Sequence, residues 1–180
     1  AELLNLSPMS VSRLVRDLVN EGVCISSGPI NNDKSIGRRP NIIRINPNYG
    51  MVVAICLSAF SKAVSIIDIN GLKLFKTTIP ESACSTPQRA MNFIETTISE
   101  FLENSASSSR KLLGCAVVIA GQYNVHSGIL LTAPLLNWPK FQLRANIETF
   151  LDCPVIVDNI ANALCINFVD LIQQKVTKNP

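Results

Sequence analysis

The chain has 180 residues, of which 47% are apolar and 16% are charged, and its formal net charge is +3. This length suits one medium domain, or a small domain joined to part of another. The apolar content supports a substantial core and excludes an intrinsically disordered chain. The net charge is too small to indicate nucleic-acid binding, which must be argued from where the charges lie.

The cysteine and histidine content argues against a metal site. Six cysteines stand singly and His126 is the one histidine, whereas a zinc site needs clustered thiolates or imidazoles. We expect no metal and no other cofactor. Because most cysteines lie in apolar segments, we expect buried free thiols.

No signal peptide opens the sequence, and its longest apolar run, at 112–121, is shorter than a membrane span. The sequence therefore predicts a soluble, cytoplasmic protein that has no membrane partner.

Residues 7–22 have the pattern of a capped amphipathic helix. Ser7 is a good N-cap, Pro8 fits the first helical position, and Gly22 fits the C-terminal end. One face is apolar at helical spacing, through Val11, Leu14, Val15, Leu18 and Val19. Short hydroxyls and arginines occupy the other face, which is typical of a helix that reads the major groove of DNA. An ordinary amphipathic surface helix is the alternative.

Residues 23–45 alternate loosely around a polar tip, which favours a two-stranded wing. The tip contains Gly37-Arg38-Arg39-Pro40, and arginines in such a turn suit a narrow, electronegative minor groove. A solvated linker is the alternative. With the helix, this turn predicts contact with a double-stranded DNA operator through eight residues: Ser7, Met9, Ser10, Ser12, Arg13, Arg16, Arg38 and Arg39.

Asn46-Pro47-Asn48 and Gly50 predict a domain boundary. We assign residues 1–46 to a winged helix-turn-helix domain and residues 47–180 to an α/β lobe. In the lobe, the patterns predict strands at 52–57, 64–69, 72–79, 112–120, 129–132 and 155–158, and helices from Pro87, at 141–150 and at 160–174. The fully apolar strand at 112–120 is expected at the centre of the sheet.

Six segments in this order resemble the ROK family: LSPMSVSRLVRDLVNEGV, SIGRRP, INPNYG, DINGLKLF, LLGCAVVIAGQYNVHSGILLTAPLLNW and VIVDNIANAL. That family contains sugar-responsive transcriptional repressors, such as the N-acetylglucosamine and xylose repressors, and sugar kinases. The winged-helix portion places the resemblance with the repressors, because the kinases lack that domain. The resemblance implies that residues 50–180 form the first lobe of an actin/hexokinase-like (ribonuclease-H-like) fold.

The resemblance also implies a partial chain. It places Ala1 in the second helix of the DNA-binding domain, so that the first helix is missing, and it places the second lobe beyond Pro180. We therefore expect a chain that is truncated at both ends.

The chain departs from the family where the kinases carry their chemistry. The kinases have an aspartate and a glycine-rich turn after the first strand, where this chain reads Leu57-Ser58-Ala59. Their catalytic aspartate follows an asparagine, and here Asn159 is followed by Ile160. An isoleucine cannot accept a proton from a sugar hydroxyl. We expect no catalytic residue and no enzymatic activity.

The family's sugar site is partly retained. Its Pro-Gly turn corresponds to Ala120-Gly121, one sugar-contacting asparagine corresponds to Leu135, and Asn159 is kept at another sugar-contacting position. The resemblance thus assigns sugar binding to Gly121 and Asn159. For Trp138, packing in the core is favoured over stacking on a sugar.

The resemblance favours a repressor of carbohydrate-metabolism genes that assembles as a homo-oligomer and, in intact relatives, responds to a sugar or sugar phosphate. A sugar kinase of the same family is one alternative. A degenerate fragment that acts only as a protein-interaction module, through exposed apolar surface, is another.

Overall fold

A helix and a hairpin open the part of the chain that the computed structural model describes, which is residues 5–29, 41–104 and 109–178. They are α1 (Pro8–Asn20) and the antiparallel strands β1 (Cys24–Pro29) and β2 (Asn41–Ile45). The predicted capping is confirmed, because Ser7 Oγ accepts a hydrogen bond from the Ser10 backbone N–H at 3.1 Å. Gly22 follows the C-cap residue with a φ of +78°.

The strands of the following α/β unit are β3 (Gly50–Leu57), β4 (Lys62–Asp68), β5 (Lys73–Thr78), β6 (Lys111–Ile119), β7 (Gln122–Asn124), β8 (Ile129–Thr132) and β9 (Val155–Asn159). Five of them form one mixed sheet in the order β5-β4-β3-β6-β9, while β7 and β8 form a separate small hairpin. Within the large sheet, β3, β6 and β9 are parallel, and β4 and β5 are antiparallel to their neighbours. The α/β fold class predicted from the sequence is confirmed.

The centre of the sheet is not where the sequence placed it. We expected the apolar strand at 112–120 there, but β3 is the middle strand and β6 lies beside it. The reason is strand pairing. One edge of β3 pairs with β4, which follows after a short connection, and the other edge pairs with β6, which follows after a long crossover. An apolar sequence shows that a strand is interior but does not show its place in the order.

Three helices accompany the strands: α2 (Pro87–Asn104), α3 (Leu143–Glu148) and α4 (Ile160–Lys178). The α2 helix buries Met91, Ile94 and Ile98 against the sheet, as its apolar spacing predicts. The α3 helix is shorter than predicted, because Phe141 instead pairs through its backbone with Leu130. A residue held in a β-bridge cannot also begin a helix, so α3 starts later than its apolar pattern suggests.

The core lies on one face of the sheet and continues under the short segment that contains Trp138. This side chain is 1% exposed, and its indole Nε1 donates a hydrogen bond to the Cys84 carbonyl oxygen at 2.8 Å. Its packing in the core is thus confirmed, and its ring face is not open to a ligand.

The α4 helix leaves much of its apolar surface uncovered within the described chain. Leu164, Ile166 and Phe168 are exposed, as is Ile156 on the neighbouring edge strand β9. A helix that is apolar on more than one side requires partners on more than one side. In the described segments, no helix is both long enough and apolar enough to span a membrane.

Candidate functional site

The exposed face of α1 gathers four of the eight residues predicted to contact DNA. Met9, Ser12, Arg13 and Arg16 line one surface concavity of about 410 Å³. Met9 is 82% exposed. Within the described residues, neither arginine forms a salt bridge, so both guanidinium groups remain available to an anion such as a phosphate.

The serines of α1 are already engaged in local hydrogen bonds. The hydroxyls of Ser7 and Ser10 lie 2.9 Å apart, and Ser12 Oγ donates to the Pro8 carbonyl at 2.9 Å. A hydroxyl that donates to its own helix can still accept a hydrogen bond, but it has no second proton to give. The arginines are therefore the main donors that this face can offer to a ligand, together with the one hydroxyl proton that the Ser7–Ser10 pair leaves unused. Arg38 and Arg39 lie outside the described residues.

The predicted apolar face of α1 is only half covered. Val11, Val15 and Val19 are half-buried, while Leu14 and Leu18 are exposed at 49% and 39%. No residue of this helix is fully buried.

The structure brings Gly121 and Asn159 into direct contact. Asn159 Nδ2 donates to the Gly121 carbonyl at 2.7 Å, and its Oδ1 accepts from the backbone N–H of Ala161 at 2.8 Å. The side chain thus caps the start of α4 and ties it to the end of β6. A β-carbon added to Gly121 would lie 2.5 Å from the Thr132 carbonyl oxygen, so this close approach requires glycine.

Two further positions at which the chain departs from the family differ in their exposure. Leu135, at the position of the family's second asparagine, is 65% exposed on a short 3-10 helix. Ile160, at the position of the kinase base, is half-buried and opens α4.

The turn after β3 is closed by serines and carries an exposed aromatic side chain. The backbone N–H of Ser58 donates to the Ser61 carbonyl at 2.9 Å, and the N–H of Ser61 donates to Ser58 Oγ at 3.0 Å. Phe60, at its tip, is 97% exposed. Phosphate loops work through free backbone N–H groups, and this turn uses two of its own internally.

Asp68 and Asp158 lie toward opposite ends of the sheet. Asp68 pairs with Met51 at the start of β3, whereas Asp158 pairs with Val118 near the end of the parallel strand β6. A two-carboxylate site, for which the sequence offered no support, is excluded for this pair. His126 is exposed in the β7–β8 turn.

Cysteine burial is less complete than the sequence predicted. Only Cys84 and Cys115 are buried, and Cys165 is exposed. Burial raises the pKa of the Cys115 thiol to about 12, with a smaller contribution from Cys153. Within the described segments, no three potential metal ligands come together.

A model of the ROK family matches residues 52–175. The chain belongs to the ROK family. The matched segment begins within β3 and extends into α4, so it contains nearly all of the mixed sheet and the Gly121–Asn159 corner.

Curated relatives of this ROK chain are named repressors. The xylose repressor of Bacillus subtilis is 26% identical over 164 residues, which are 91% of this chain and 41% of the relative. The xylose repressor of Caldicellulosiruptor bescii is 24% identical over 163 residues, which are 91% of this chain and 40% of the relative. The chain thus spans about two fifths of the length of the curated relatives that it matches.

A solved structure shares the fold. It is the crystal structure of a ROK family transcriptional regulator, a homolog of the E. coli MLC protein, which matches with a TM-score of 0.62 at 21% identity. The match covers 86% of this chain and 38% of that one, so it includes more of the chain than the ROK segment alone.

Proposed function

We propose that this ROK protein is a DNA-binding transcriptional repressor of carbohydrate-metabolism genes that acts in the cytoplasm. The observation that carries the proposal is the exposed cluster of Met9, Ser12, Arg13 and Arg16 on one face of α1. Both arginines lie away from the apolar stripe and have no acidic partner in the described chain. The names of the two xylose repressors support the same role.

In this proposal α1 is the recognition helix of a winged helix-turn-helix, and β1 and β2 form its wing. The N-terminal half of this helix, which Ser7 caps, would face the major groove, and Arg13 and Arg16 would contact DNA beyond it. Arg38 and Arg39, between the two strands, would enter the adjacent minor groove. Residues 1–46 would form this domain, and residues 47–180 the lobe that assembles it into a homo-oligomer.

The proposal assigns no phosphoryl transfer to the lobe. Ile160 supplies no proton acceptor. The Ser58–Ser61 turn uses two of its backbone N–H groups in hydrogen bonds within the turn. What the lobe retains is the Gly121–Asn159 corner, which we assign to binding a sugar or sugar phosphate as effector. Binding without turnover is what a sensor requires.

Arg16→Ala tests the DNA-binding proposal. Duplexes selected from a random pool with the wild-type protein serve as targets, alongside scrambled duplexes, each at two salt concentrations. If Arg16 reads a base, the variant should lose about 1–3 kcal/mol of binding free energy and some sequence preference. If it contacts only phosphate, binding should weaken for all sequences and the salt slope should fall by about one.

The matched control is Arg89→Ala, which removes an exposed arginine from α2 and makes the same change in net charge. This control should bind like the wild-type protein. The proposal fails if no duplex is enriched by the wild-type protein, or if Arg16→Ala leaves both the affinity and the salt dependence unchanged.

Asn159→Ala tests the effector corner. The substitution removes the bond to Gly121 and the cap of α4, so sugar affinity should fall on the order of tenfold, alongside a stability loss of about 1 kcal/mol from the cap. Calorimetric titration with xylose, glucose and N-acetylglucosamine measures the first effect, and thermal unfolding measures the second.

Asn104→Ala is the control for this experiment, since Asn104 is exposed at the end of α2 and its side chain, among the residues that the structure describes, bonds to the Glu100 carbonyl of the same helix. Wild-type protein that binds none of these sugars, or an Asn159→Ala variant that binds them with unchanged affinity, would remove this corner from the proposal.

A further inference from the structure

Residues 46–49 join the β1–β2 hairpin to the large sheet, and the first of them, Asn46, is hydrogen-bonded to the turn between α1 and β1. We use "head" for α1, β1 and β2, and treat residues 46–49 as the joint between the head and the part of the lobe that begins with β3 at Gly50. The backbone N–H of Asn46 donates to the Val23 carbonyl at 2.8 Å, and its Nδ2 donates to the Gly22 carbonyl, also at 2.8 Å. Asn46 therefore holds the corner at which α1 turns into β1.

The same segment is tied to the lobe by one arginine. Arg110 Nε donates to the Pro47 carbonyl at 3.2 Å, and Arg110 Nη2 donates to Asn48 Oδ1 at 2.6 Å. The backbone N–H of Asn48 in turn donates to Asn46 Oδ1 at 3.0 Å. We call Asn46, Pro47, Asn48 and Arg110 the clasp.

The residues beside the clasp strengthen its attachment to the lobe. The backbone N–H of Lys111 donates to the Tyr49 carbonyl at 3.3 Å, and Lys111 Nζ lies 5.0 Å from the centroid of the Tyr49 ring. Lys111 is the first residue of β6, so this attachment is to an interior strand that pairs on both sides.

The hydrogen bonds of the clasp favour a fixed connection over a flexible tether. Each of residues 46–49 has a hydrogen bond to the head, to the start of β6 or within the turn, and Pro47 restricts its own backbone rotation. The hydrogen bonds described between head and lobe all pass through these residues. A planar guanidinium that donates to two acceptors also restrains direction, which a single ammonium bond does not.

We propose that Arg110 is a positioning residue that fixes the direction in which the head leaves the lobe. This inference rests on the proposed function, since the head is taken to carry the DNA-reading helix. Strand β6 runs from the clasp at its start to Gly121 just beyond its end, where Asn159 binds. The fixed connection therefore begins on the strand that leads to the proposed effector corner.

Nuclear magnetic resonance relaxation of the backbone amides tests the clasp without DNA. In the wild-type chain, head and lobe amides should report one common rotational correlation time. In Arg110→Ala, the head should report a shorter time than the lobe. Asn46→Ala, which cuts the clasp on its other side, should do the same, while Arg89→Ala should behave as the wild-type chain does.

Arg110→Lys separates geometry from charge, because lysine keeps the cation and loses the two-pronged donor. It should resemble Arg110→Ala. If Arg110→Ala and Asn46→Ala both keep a single correlation time, or if the wild-type head already moves independently, the clasp has no positioning role and the inference is overturned.

Binding to DNA then shows what the positioning does. On duplexes with two copies of the selected half-site, wild-type affinity should fall on the order of tenfold when the spacing changes by half a helical turn, and Arg110→Ala should lose this dependence. A wild-type protein indifferent to spacing would overturn this role of Arg110. A different outcome is that the wild-type protein selects no duplex while the relaxation experiment still gives one correlation time for the wild-type chain and two for Arg110→Ala. That outcome would remove the DNA-binding proposal and leave the clasp as a mechanical connection.

Discussion

Trp138→Ala is expected to lower the free energy of unfolding by about 3–5 kcal/mol, the usual cost of truncating a large buried aromatic side chain. Trp138 is 1% exposed, and the alanine would leave a cavity that the surrounding core fills only in part. The change also removes the indole donor from the Cys84 carbonyl. Urea unfolding of the two proteins, followed by circular dichroism, measures the difference.

Trp138→Phe separates the two contributions. Phenylalanine keeps much of the apolar volume and removes the donor, so its cost should be clearly smaller, on the order of 1–3 kcal/mol. If Trp138→Ala unfolds at the same urea concentration as the wild-type chain, the side chain is not part of the core. Because it is the chain's one tryptophan, its fluorescence also shows whether a sugar reaches it, and we expect no change on adding sugar.

Asp68→Ala should destabilise the chain by about 2–4 kcal/mol, because it leaves the β4–β5 turn without its organising acceptor. Asp68 is 3% exposed, and its Oδ1 accepts hydrogen bonds from the backbone N–H groups of Asn70 and Leu72 at 2.9 and 2.8 Å. Alanine would leave two donors without this partner in a tight turn. Thermal and urea unfolding of the variant measure the loss.

Asp68→Asn is the matched control, since the amide keeps an oxygen that can accept the same two bonds. It should recover most of the stability lost in the alanine variant, because a neutral amide oxygen forms weaker hydrogen bonds than a carboxylate but still accepts both of them. Equal destabilisation by both variants would show that the turn needs the negative charge of Asp68 and not only an oxygen that accepts the two hydrogen bonds. An alanine variant as stable as the wild-type chain would contradict the structural role.

Local features of this protein were predictable because they depend on neighbours in sequence. The Ser7 cap and the Gly22 end of α1 follow from short-range backbone geometry. The Asn70-Gly71 pair, which is typical of tight hairpin turns, lies between β4 and β5. Membership of the ROK family followed from ordered segments, and the match over residues 52–175 confirms it. The DNA-contacting and sugar-contacting residues remain proposals.

Where local patterns competed with long-range pairing, the patterns were insufficient. Phe141 has an apolar spacing that suits α3, but its backbone pairs with Leu130 and the helix starts later. The apolar run of β6 showed an interior strand, yet the central position went to β3, since strand order depends on which edges become paired. Periodicity describes which side of an element is apolar and does not name its partner.

The sequence by itself determined most of the elements, the two ends of α1 and the family, because each of these depends on nearby residues or on ordered motifs. Only the tertiary structure placed Asn159 against Gly121, 38 positions away, and Arg110 against Asn48, 62 positions away. Only it separated Asp68 from Asp158. The physical reason is that such contacts arise when the sheet brings distant strand ends together, and no local spacing encodes which ends will meet.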